Sequence, residues 1–98
     1  MKNFRTLNLA IDFYKECKEL RLPSPMRDQF KRALLSVSLN LAEGSAKPSV
    51  KDRKRFYSIA LGSFREVQTI LKLSDNEMLY QKADKLGAHL YKLCKSGP

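Results

Sequence analysis

Residues 29–66 read QFKRALLSVSLNLAEGSAKPSVKDRKRFYSIALGSFRE, from Gln29 to Glu66, and this stretch decides the fold. Two segments of helical period meet at a break running from Gly44 to Pro48. On the first, Met26, Phe30, Ala33, Leu34, Val37 and Leu41 recur at the spacing of one buried helical face. On the second, Phe56, Ala60, Ser63, Val67 and Ile70 do the same. Tyr57, Leu61, Phe64 and Leu71 add another stripe to that segment. Two stripes predict a helix buried on more than one side, or one that also touches another subunit.

Outward from the break, Gly44 is expected to stop the first segment, because a left-handed residue costs glycine little. Ser49 followed by Asp52 predicts a side-chain cap on the next helix. Ser24 and Pro25 predict a cap and a first helical residue upstream, and Ser74 with Glu77 predicts a capping box downstream. Before them, Leu7, Ile11 and Tyr14 lie beside Leu9, Phe13, Cys17 and Leu20 on a broad apolar face. After them, Leu79, Ala83, Leu86, Leu90 and Leu93 form the last face, and Ser96 to Pro98 are expected to fray. The prediction is all-α, with helices over about residues 5–21, 25–43, 50–73 and 76–95. Connections of a few residues make sequential neighbours antiparallel, giving an up-down-up-down four-helix bundle. A chain of 98 residues with no long linker is read as a single domain.

Apolar content of 43% and charged content of 30% fit a globular protein. No apolar run approaches the roughly 20 residues that span a bilayer, and Asp12, Lys15 and Glu16 interrupt any signal-peptide core. The expectation is a cytoplasmic bundle. Cys17 and Cys94 fall at opposite ends of such a bundle, too far apart for a disulfide, so both are read as free thiols.

The net charge is +9, from 19 basic and 10 acidic residues. That excess favours a polyanionic partner without specifying RNA, DNA, an acidic protein or an anionic surface. Lys47, Lys51, Arg53, Lys54 and Arg55 cluster at the break with Asp52 opposing them, and Lys31 and Arg32 lie on the preceding helix. These seven are the candidate phosphate contacts. Antiparallel wiring puts Lys31 and Arg32 toward the other end, so the bases read as a charged surface rather than a pocket.

Ser36 and Asn40, four residues apart on one face, are expected to bond across helices and fix register. Gly62 and Ser63 sit mid-helix, where glycine costs about 1 kcal/mol against alanine. Close approach of the facing helix near Asn40 is the expected compensation. Glu43 ends its helix where the dipole disfavours an acid, and Arg32 or Arg65 is its expected partner. No second carboxylate or histidine stands beside Glu43 for acid–base work. The lone His89 with Cys94 makes no metal set, and no nucleophile-elbow, zinc-protease, phosphate-loop or dinucleotide pattern occurs. The expectation is a non-enzyme with no metal and no cofactor.

Several of these residues carry a resemblance. Gln29 to Ala33, Ser36-Val37, Asn40-Leu41-Ala42-Glu43-Gly44, Phe56, and Ile59 to Ser63 with Glu66 resemble the proteins encoded in intervening sequences of bacterial 23S rRNA genes. The chain is also similar to the accessory variability determinant of diversity-generating retroelements. Ser38 departs from the pattern, since many relatives have proline there, and it predicts a straighter second helix. The resemblance implies a four-helix bundle that assembles into a homo-oligomeric ring, usually a pentamer, with a basic surface. In the retroelement relatives the ring binds a reverse transcriptase and nucleic acid. Three functions stay open at this point: an RNA- or DNA-binding oligomer, an adaptor for a protein such as a reverse transcriptase, and a purely structural oligomer.

Overall fold

The structure is a computed structural model that describes residues 4–95; the tail from Ser96 lies outside the described residues. Four helices follow in order among them: α1 (Phe4–Cys17), α2 (Met26–Ser45), α3 (Val50–Leu73) and α4 (Glu77–Lys95), with no strand. The all-α prediction holds. Each helix packs on its sequence neighbours, α4 closes the ring against α1, and α2 with α3 forms the most extensive pair.

Three contacts set the α2–α3 pair antiparallel. Gln29 Nε2 donates to Glu66 Oε2 at 2.8 Å. Ser36 Oγ meets Ser63 Oγ at 2.8 Å. Gly44 faces Phe56 and Tyr57. Lys82 Nζ, early on α4, reaches Glu16 Oε2, late on α1, at 2.7 Å. The bundle is 40 Å long. The stripes predicted from the sequence converge on one core that includes Phe13, Phe30, Val37, Leu41, Phe64, Val67, Leu71 and Leu90, with two exceptions: Ile11 is exposed, and Phe56 stays half-buried beside the α2–α3 loop. Phe13 and Phe64 meet edge to face across its diagonal at 5.9 Å. No helix is long and apolar enough to cross a membrane among the described residues.

The helix ends differ from expectation in four places. α1 stops at Cys17 rather than Arg21, because Leu22 leaves the helical path to bury itself under the core. At the start of α2, Pro25 itself takes the N-cap place with helical dihedrals, and no side chain caps it. The Pro23 carbonyl accepts Arg27 N–H there instead of the Ser24 side chain. α2 continues through Gly44 to Ser45, so Gly44 is not a left-handed stop. Ser74 closes α3 by donating its Oγ to Leu71 O, and Asn76 rather than Ser74 caps α4, its Oδ1 accepting Leu79 N–H at 3.0 Å. The Ser49 cap is as predicted: its Oγ accepts Asp52 N–H at 3.1 Å. Left-handed backbone falls at Asp75 in the α3–α4 turn, a conformation that aspartate tolerates.

Candidate nucleic-acid interface

Antiparallel wiring brings the start of α1, the end of α2, the start of α3 and the end of α4 to one end of the bundle. The α2–α3 loop is held there by Arg53, whose guanidinium donates to Lys47 O and Pro48 O at 2.9 Å each. Lys47 pairs with Glu43 at 2.8 Å and sits 5.1 Å from the centre of the Phe56 ring. Arg55 lies over the same ring at 5.1 Å. Thus Phe56 carries two cations at the loop, and Glu43 takes Lys47 rather than the expected Arg32 or Arg65. That partner is four residues on, just past the end of α2, so no cross-helix reach is needed.

The other two helices add charge at the same end. His89 on α4 is held below its ordinary 6.5, first by burial and then by the charges of Arg5, Lys85 and Lys92. Arg5 of α1 therefore stands beside the last turns of α4. Cys94 lies against Ser58 and feels Arg65 and Lys54, which joins α4 to the start of α3. Lys95 Nζ sits 5.5 Å from the centre of the Tyr91 ring.

The outcome is a polarised molecule. Arg5, Lys47, Lys51, Arg53, Lys54, Arg55, Lys92 and Lys95 share this end with the acids Glu43 and Asp52. Ten bases and eight acids are spread over the remaining described chain. Of the seven candidate phosphate contacts, the structure gathers five here and leaves Lys31 and Arg32 apart. Lys31 lines a recess with Tyr14, Cys17, Lys18 and Arg27, while Arg32 donates to Gln29 Oε1 on α2. Arg53 and Lys47 are engaged with the loop, which leaves Lys51, Lys54 and Arg55 the better placed to meet a ligand. Arg5, Lys92 and Lys95 were not singled out from sequence. The signal that finds them is the wiring, which sends both chain-terminal helices to the same end as the break.

The packing residues separate as well. Asn40 Nδ2 donates to Ser36 O and Ser36 Oγ at 2.9 Å each, so its bonds are local to α2. The expected cross-helix bond belongs to the serines. With Ser36 Oγ accepting from Asn40, its own proton is free for buried Ser63 Oγ, and the chain Asn40–Ser36–Ser63 sets the register. Gly62 is a correction too: a Cβ there meets nothing within 4 Å. At 100° per residue it lies round α3 from Ser63, on the solvent side. Close approach occurs instead at Gly44. A Cβ on it would stand 2.8 Å from Tyr57 Cε1 and 2.9 Å from Phe56 Cβ. Tyr57 is core, as its helical position suggested.

Both cysteines are free. Burial pushes the Cys17 thiol up to about 12, with Glu16 adding and Lys82 opposing. No group of three or more His, Cys, Asp or Glu side chains is placed to hold a metal ion among the described residues.

Fold and surface define a class: an all-α bundle with a cationic end and an antiparallel α2–α3 pair registered by serines. The 23S rRNA-intervening sequence protein family model matches residues 2–95, and the chain belongs to that family. No curated protein and no solved structure matches it.

Proposed function

We propose that this protein is a non-enzymatic, cytoplasmic, self-assembling bundle that binds RNA or DNA through its basic end. The observation that carries the reading is the meeting of bases from α1, the α2–α3 loop, α3 and α4 at one end while charge elsewhere nearly balances. Such a surface raises the local concentration of a polyanion and holds it mainly by its phosphates. Lys51, Lys54, Arg55, Arg5, Lys92 and Lys95 are the contacts. Lys47 and Arg53 shape the loop that presents them.

Self-assembly has its own support on the outer side of α2–α3. Leu35, Leu39 and Ile59 are exposed there, and Leu73 is 67% exposed at its foot. An apolar groove of about 660 Å³ follows, lined by Met26, Ile70 and Leu73. An uncovered apolar stripe of this kind fits contact with a second copy, in keeping with the pentameric ring that the family resemblance implies. A ring would repeat the basic end around its axis and multiply weak phosphate contacts.

Fluorescence anisotropy across a salt series tests the binding. Affinity should fall steeply, with a log–log slope of about −0.7 to −0.9 per phosphate neutralised. No binding at low salt to single strands, duplexes or rRNA fragments sinks the reading. Sedimentation at micromolar concentration tests the assembly separately, where a strict monomer contradicts it.

A further inference from the structure

The groove between α3 and α4 carries a feature that the basic end by itself does not explain. The two helices lie close along it: a Cβ on Gly87 would stand 3.1 Å from Phe64 Cε2. Two tyrosines of α4 edge the groove. Lys72 Nζ sits 4.8 Å from the centre of the Tyr80 ring, and Lys95 sits over Tyr91, which is 48% exposed. Arg65, Gln68 and Thr69 join Lys72 and Tyr80 around a recess of about 310 Å³.

The spacing places these groups in two rows. Lys54, Arg65 and Lys72 are separated by eleven and seven residues, which is three and two helical turns, so they share one side of α3 over about 27 Å. Tyr80 and Tyr91 are also eleven residues apart, and they share one side of α4 over about 16 Å. Asp84 stands between the tyrosines on that side and repels phosphate toward α3. Cations on one wall and aromatic faces on the other match an unpaired strand, whose phosphates follow the charges while its bases stack. A duplex turns its bases inward and has no use for the rings. Stacking a base outweighs the exposed cation–π contact that it displaces, and the freed ammonium remains beside the phosphates.

We infer that the α3–α4 groove binds single-stranded nucleic acid, with phosphates on Lys54, Arg65 and Lys72 and bases on Tyr80 and Tyr91. This rests on the nucleic-acid reading above and adds strandedness and a path leading away from the basic end.

The test uses the full chain and labelled 20-nucleotide probes: unstructured RNA, the same sequence as DNA, and the duplex of each. Single strands should bind more tightly than duplexes. Tyr91→Leu should weaken single-strand binding about five- to a hundredfold while leaving duplex binding unchanged. Tyr91→Phe should retain it. Lys72→Gln, far from the basic end, should weaken single strands and flatten the salt slope. Unfolding curves confirm that each variant is folded. Full single-strand affinity in Tyr91→Leu and Lys72→Gln, or a preference for duplex, overturns the groove. If Lys51→Gln and Lys92→Gln still weaken binding in that case, the basic-end reading survives alone. Failure of every probe to bind removes both.

Discussion

Gly44 and Tyr57 touch where no side chain has room: a methyl on Gly44 would stand 2.8 Å from Tyr57 Cε1. Tyr57 is buried and Phe56 Cβ closes the other side at 2.9 Å, so neither neighbour yields at a flexible tip. Gly44→Ala should destabilise the fold by about 1–3 kcal/mol, the usual cost of overpacking a tight core. Gly62→Ala has the opposite sign. Its Cβ enters open space, so the helical preference of alanine should add about 1 kcal/mol to the stability of the folded subunit. Urea unfolding of both variants checks the pair, and shifts in the same direction would contradict the placement.

Ser36 and Ser63 should behave asymmetrically. Ser63→Ala leaves Ser36 Oγ still bonded to Asn40 and should cost about 1 kcal/mol. Ser36→Ala strands the buried Ser63 hydroxyl and frees Asn40 from one bond, so it should cost more, about 1–3 kcal/mol. The double variant should cost less than the sum. Additive losses in a double-mutant cycle would show that the serines are not coupled.

Ser38 Oγ is buried and has no hydrogen-bond partner among the described residues. Ser38→Ala removes a desolvated hydroxyl and improves helix preference, so stability should rise by about 1 kcal/mol. A higher melting temperature with unchanged helicity is the expected result. A loss of stability means that the hydroxyl has a partner.

His89 gives a pH dependence with a definite sign. Its folded pKa lies below 6.5 because burial and the charges of Arg5, Lys85 and Lys92 oppose a proton. Above 6.5 it is neutral folded and unfolded, and its full contribution is present. As pH falls through 6.5 the unfolded chain takes up a proton first, so stability declines until the folded pKa is passed. His89→Gln should flatten this decline of stability as pH falls through 6.5. Binding of a polyanion at the basic end should raise the His89 pKa, readable as a shifted imidazole titration by NMR, and should strengthen as pH falls.

Local signals were legible where they act over one or two turns. Most of the core stripes, a break just ahead of α3 and the Ser49 cap are of this kind, though the break begins after Ser45 and not at Gly44. Ser74, a good cap by type, does not cap α4 because it is already used in closing α3. The spacing of Asn40 from Ser36 marks a shared face and suggests a cross-helix role. Spacing does not say whether an amide turns to its neighbour helix or back to its own carbonyl. The bases at the break were visible as a run, but that Arg53 is committed to the loop carbonyls was not.

By itself the sequence determined four helices, an antiparallel wiring and the family, because periodicity and short connections leave few alternatives. The tertiary structure decided which glycine lies at a contact. Sequence marks Gly44 as a helix stop and Gly62 as the close contact, and only the facing helix makes the first indispensable and the second open. It also decided where charge accumulates. Residues as distant as Arg5 and Lys95 act together because antiparallel packing brings alternate helix termini to one end, and a field sums over space rather than along the chain.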